Sequence, residues 1–141
     1  MPTSAGVSYL LLLGDFAFYL ALYAAAVFRR HDVVSLWGSL IAIPSFVLWF
    51  AAKLQLGSSF TARPEARALV IRGLYSKIQH PIYLFSTMAI FGTAICLRSV
   101  LFNVYVVAVI LFQLYRARLE ARVLREKFGS VYEEYRAQTW F

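Results

Sequence analysis

Thiol and imidazole chemistry have little to work with in this chain: Cys96 is its one cysteine, and His31 and His80 are its two histidines. One cysteine allows no intrachain disulfide, and within an apolar run Cys96 reads as a small packing residue. These three side chains also fall short of the four ligands of a closed zinc site. Negative charge is scarce, with 7 Asp and Glu against 14 Lys and Arg, and charged residues make up only 15% of the sequence. An average soluble domain carries about 25%. No glycine-rich dinucleotide fingerprint occurs. The N-terminus shows neither a basic n-region nor an A-x-A pattern, so the first apolar run is expected to stay in the mature protein.

What the chain has is apolar length. Of its 141 residues, 61% are hydrophobic, against about 45–50% in soluble domains. A spanning helix needs about 20 such residues. Residues 7–28 and 33–54 supply two runs, parted by Arg29-Arg30-His31-Asp32. The second ends near Lys53, whose stem can reach the interface, and carries Pro44, where a kink is expected. Residues 81–97 and 100–115 are shorter and flank Arg98-Ser99, so they are expected to form a hairpin whose last helix runs on beyond the bilayer. The reading is an all-α, polytopic protein of one membrane domain (1–141): four transmembrane helices, with residues 7–54 as an N-terminal pair, plus a cytoplasmic C-terminal helical extension.

Charge orients it. One face would hold the N-terminus, residues 55–80, the tail and Lys53, carrying 11 of the 14 Lys and Arg; Arg29, Arg30 and Arg98 lie on the other. Basic residues in short loops stay in the cytoplasm. A multi-pass protein of the inner (cytoplasmic) membrane is expected, with both termini cytoplasmic. The basic residues sit beside membrane ends, where anionic headgroups attract them by about 1 kcal/mol each. No stacking aromatics interleave with them on a soluble face, so membrane lipids are the expected partner and nucleic acid is not.

Two cytoplasmic stretches carry chemistry. In the first, the apolar 68–71 segment leads through Gly73 to His80-Pro81, where the third run begins. Proline suits the first position of a helix, so Pro81 opens one whose unpaired N–H groups and partial positive charge suit a carboxylate or phosphate. A plain loop-to-helix junction with Tyr83 as an interfacial tyrosine is the alternative. In the second, Leu114, Ala117, Ala121, Leu124 and Phe128 form an amphipathic stripe that stops at Gly129. Arg116 and Glu120 stand one turn apart at its edge. They read either as an inward-pointing pair or as a surface salt bridge of about 0.3–0.5 kcal/mol. In the first span, Asp15, Tyr19 and Tyr23 share one helix face. An intramembrane carboxylate costs about 2.5–3.5 kcal/mol, so Asp15 either lines a cavity or is satisfied by water or Lys53.

The two stretches together resemble the isoprenylcysteine carboxyl methyltransferase family. The resemblance rests on Leu69-Val70, Gly73 and Tyr75, then Gln79-His80-Pro81-Ile82-Tyr83, then Arg116, Glu120-Ala121 and Leu124, then Phe128-Gly129, Tyr132 and Tyr135. It covers residues 67–135, about half the chain. Gln79 stands where the family usually has arginine, Ala121 where it has a second glutamate, and Phe85 where glycine is common. The resemblance implies S-adenosyl-L-methionine as cofactor. Arg67, Ala68, Leu69, Val70 and Tyr75 would line its adenosine end, and His80, Pro81, Ile82 and Tyr83 its methionine end. Glu120 would contact the cofactor, and Arg116 would face the substrate. The catalytic pair would be Arg116, neutralising an acceptor carboxylate, and His80, the base for a thiol or amine. The acceptor implied is a small lipophilic or lipid-like molecule. A non-catalytic membrane module that keeps the fold is the alternative function. A nicotinamide-dependent reductase of related architecture would be a much larger protein.

Overall fold

A computed structural model describes residues 4–56 and 69–140, with backbone only for 4–12. Among the described residues the chain forms five α-helices: α1 (Ser4–Arg29), α2 (Val33–Leu56), α3 (Pro81–Leu97), α4 (Val100–Phe128) and α5 (Ser130–Gln138). A single 3-10 turn, Gly73–Ser76, interrupts the segment before α3. No strand forms among these residues. One isolated parallel bridge joins Ile78 to Trp140.

Local chemistry sets the boundaries. Asp32 caps α2, its Oδ1 accepting from the Ser35 N–H at 2.9 Å, and Ser99 caps α4 by accepting from Phe102 N–H. Between α3 and α4 the chain turns through Arg98, which sits in the left-handed region at φ 52°. Its guanidinium holds both oxygens of Asp32 at 2.5 Å, tying this hairpin to the one between α1 and α2. α2 passes through Pro44 as one helix, leaving the Leu40 carbonyl without its usual donor.

α3 is the central element. Its main packing partner is α2, and α1 and α4 also pack on it. The α2–α3 seam is built from small residues. A Cβ placed on Gly92 would lie 2.7 Å from both the Ala42 nitrogen and the Gly38 carbonyl oxygen. Only glycine permits that approach, the means by which apolar helices associate without a hydrophobic drive in lipid. Ala42, Ala89, Ala94 and Cys96 are buried along the seam. The remaining faces are apolar and outward: Leu36, Leu40, Val47, Leu101, Val104 and Leu111 are all more than half exposed. α2 and α4 are long and apolar enough to cross a membrane by length and composition, whereas α3, at 17 residues, is a shorter apolar helix. At 1.5 Å per residue α3 spans about 25 Å, against a hydrocarbon layer of about 30 Å.

Several polar groups inside the apolar layer are paired across helices. Lys53 does not snorkel to the interface. Its ammonium is turned inward, with the side chain 5% exposed, and bonds Asp15 Oδ1 at 2.7 Å while lying 4.4 Å from the centre of the Trp49 ring. A carboxylate and an aromatic face within reach hold the cation better than a long path back to water. One turn along α1, the Tyr19 hydroxyl meets that of Tyr105 on α4. Thr87 donates to Gln113 Oε1 at 2.5 Å, and Gln113 Nε2 donates to Ser86 at 3.0 Å, joining α3 to α4.

Candidate functional site

The candidate residues converge where α3 begins. His80 precedes Pro81, the first helical residue, and makes no side-chain cap to the helix. Proline contributes no N–H, so the amides of the first turn point outward without a capping side chain. α4, 29 residues long, outruns α3 and carries its polar end past this point. Glu120 thereby meets Tyr83 and His80, although 37 residues separate it from Tyr83.

Glu120 is the hub. The Tyr83 hydroxyl donates to its Oε1, and Arg116 Nη2 donates to the same oxygen at 3.4 Å. The His80 Nδ1 lies 3.7 Å from Oε2. The Arg116 guanidinium also sits 5.8 Å from the centre of the Tyr83 ring, and the imidazole of His80 lies tilted against that ring at 5.7 Å. Glu120 and Arg116 keep 26% and 22% of their side-chain surface accessible, so the cluster is open on one side. The sequence left open an inward pair or a surface salt bridge. The pair points inward, onto α3.

Protonation follows from burial. Burial pushes the His80 imidazole down to about 4, so it is neutral at pH 7 and its approach to Glu120 is not an ion pair. Tyr75 is buried on the inner side of the loop, and burial, then the Glu120 charge, pushes its phenol up. Among the remaining residues of the set, Pro81 is fully buried, while Leu69, Val70 and Ile82 are half-buried. Ile82 packs against the core. Arg67 and Ala68 lie outside the described residues. The structure therefore brings together Tyr75, His80, Tyr83, Arg116 and Glu120. Among the described residues no group of His, Cys, Asp and Glu could hold a metal ion.

Other residues complete the surroundings. Gln55, at the end of α2, accepts from the Leu74 N–H at 2.7 Å and so pins the 73–76 turn. Tyr132 is 1% exposed and its hydroxyl reaches Gln79 Oε1 at 3.5 Å. The Tyr135 hydroxyl donates to the Tyr75 carbonyl at 2.7 Å. Tyr132 and Tyr135 are legible as motif positions, but nothing in the sequence marks Gln55 or Trp140 as their fellow anchors.

A family model described as phospholipid methyltransferase matches residues 33–131. No curated protein and no solved structure matches the chain. The matched span runs from α2 to the start of α5 and contains every residue of the Glu120 cluster.

Proposed function

This chain belongs to the phospholipid methyltransferase family, a family of membrane methyltransferases, and on that footing we propose that it transfers a methyl group from S-adenosylmethionine to a small lipophilic acceptor. Isoprenylcysteine carboxyl methyltransferases are members of the same family, so the resemblance read from the sequence holds at family level. The membrane reading goes with it: four helices cross the inner membrane, and α4 emerges into the cytoplasm together with both termini.

One observation carries the proposal. The uncapped start of α3 and the Glu120 carboxylate stand side by side, bridged by Tyr83. An α-amino acid presents a carboxylate and an ammonium on one carbon. The outward amides of α3 suit the first, and Glu120 suits the second. The donors around Glu120 are a neutral phenol, one guanidinium at 3.4 Å and a neutral imidazole, so the carboxylate retains capacity for a further cation. The residues fit the methionine end of the cofactor, and Leu69, Val70 and Tyr75 would line the adenosine end.

When bound, S-adenosylmethionine supplies an electrophilic methyl on a sulfonium, for which alignment matters more than covalent help. Holding two reactants in line contributes roughly 7–11 kcal/mol. Arg116, which keeps 22% of its side-chain surface accessible, would receive an anionic acceptor at the open side of the cluster. His80 bears on the acceptor class. An imidazole held at about 4 is a weak base at neutral pH, which suits an acceptor that arrives already ionised. A carboxylate is therefore the preferred acceptor, and a thiol or amine the lesser one.

Calorimetric titration of the detergent-solubilised protein with S-adenosylmethionine tests this reading. Micromolar binding that Glu120→Ala weakens at least tenfold is expected. Unchanged affinity in the variant removes Glu120 from the site, and no binding in the parent protein removes the cofactor.

A further inference from the structure

The segment that presents His80 has little structure of its own. Between the 3-10 turn and Pro81 the backbone bonds are Lys77 N–H and Ile78 N–H to the Leu74 carbonyl. The Gln79 N–H instead donates to the Trp140 carbonyl at 3.2 Å, and the Trp140 N–H donates to the Lys77 carbonyl at 2.6 Å. Tyr135 and Tyr132 add their bonds to the Tyr75 carbonyl and the Gln79 side chain. Three residues of one loop, Tyr75, Lys77 and Gln79, are thus gripped by the end of the chain. Gly129 makes this possible. With φ 51° and ψ −123° it takes a backbone conformation that side chains resist, and it turns α5 back from α4 toward the loop.

We propose that this C-terminal strap (Tyr132, Tyr135 and the backbone of Trp140) is a positioning element of the His80–Glu120 site, holding the 75–79 loop and through it the imidazole of His80. The proposal rests on reading that cluster as the cofactor site. His80 stands between a residue fixed by Trp140 and a proline whose φ is fixed by its ring, so releasing the first frees the imidazole to leave Tyr83 and Glu120. Trp140 acts through its backbone, since its indole is 79% exposed.

That last point separates the strap from general stabilisation. Trp140→Pro deletes the N–H that bonds Lys77, whereas Trp140→Ala keeps it and removes only an exposed ring. The full chain in detergent, labelled at its two histidines, is titrated by NMR, and the affinity for S-adenosylmethionine is measured on the same samples. Trp140→Pro is expected to move the His80 titration upward toward the free value and to weaken binding about tenfold. Trp140→Ala should match the parent within twofold in both readings, and Tyr135→Phe should fall between the two. A parent-like His80 titration and affinity in Trp140→Pro overturns the proposal, as does a Trp140→Ala variant that behaves like the proline one. If the parent protein binds no S-adenosylmethionine, the cofactor reading fails, and the histidine titration alone still decides whether the strap positions His80.

Discussion

Lys53 and Asp15 form the one ion pair among the described residues that lies wholly on α1 and α2, and their surroundings make its two halves unequal. Removing Lys53 leaves a carboxylate in an apolar layer, a cost of about 2.5–3.5 kcal/mol on insertion scales. Removing both charges leaves neither unpaired. Lys53→Leu should therefore lower the thermal midpoint in detergent more than the Asp15→Leu, Lys53→Leu double variant does. Equal losses would mean the pair holds nothing together. At the site, His80 supplies a pH dependence. Its folded value of about 4 lies below the free value of about 6.5, so between the two the unfolded chain binds more protons. Stability is full above about 6.5 and declines as pH falls toward 4. Thermal unfolding midpoints recorded from pH 7 to 5 should fall in the parent protein, and His80→Gln should flatten that slope. Much at this scale was legible. The spacing of Arg116 and Glu120, the His80-Pro81 junction and the possible match of Asp15 with Lys53 all follow from position and charge. The polar partners deeper in the bundle were not. Gln113 and Tyr105 look like isolated exceptions in an apolar run until the fold supplies Thr87, Ser86 and Tyr19.

Helix boundaries were the clearest signals at the next scale. Pro81 as first residue and Arg98-Ser99 as a break gave α3 its observed limits, and Gly129 ended α4 where the stripe ended. These are local effects, a missing N–H or a missing Cβ, and they need no knowledge of neighbours. The seam between α2 and α3 was not read, because small residues announce close approach only when the partner helix is known. It makes a direct prediction. In Gly92→Ala the new methyl meets backbone atoms at 2.7 Å, which cannot rotate away, so the helices must part. A loss of about 1–3 kcal/mol is expected, visible as a lower unfolding midpoint, whereas Gly14→Ala, with nothing within 4 Å, should be neutral or slightly stabilising. Equal midpoints for the two would contradict the packing. The strap was equally hidden. Its bridge to Ile78 is a pairing of two short, irregular segments 62 residues apart, which no periodicity encodes.

For the whole molecule, the proposed topology puts the Glu120 cluster at the inner leaflet, a reading supported by the asymmetry of basic residues and the apolar outer faces. Single cysteines at positions 30 and 122 in a Cys96→Ala background test that placement with a membrane-impermeant maleimide. Intact cells should label position 30 alone, and permeabilised cells both; labelling of position 122 in intact cells would invert the protein. A cytoplasmic placement matters to the proposed function because the strap, the loop and the polar end of α4 would then meet an aqueous cofactor on one side and a lipophilic acceptor on the other. Determining the structure of the protein with S-adenosylhomocysteine bound tests the central claim most directly. The account predicts the amino acid end of that molecule at the start of α3, its ammonium within about 3 Å of the Glu120 carboxylate, a normal charge-assisted hydrogen-bond distance. Density for it anywhere away from His80 and Glu120 would contradict the account.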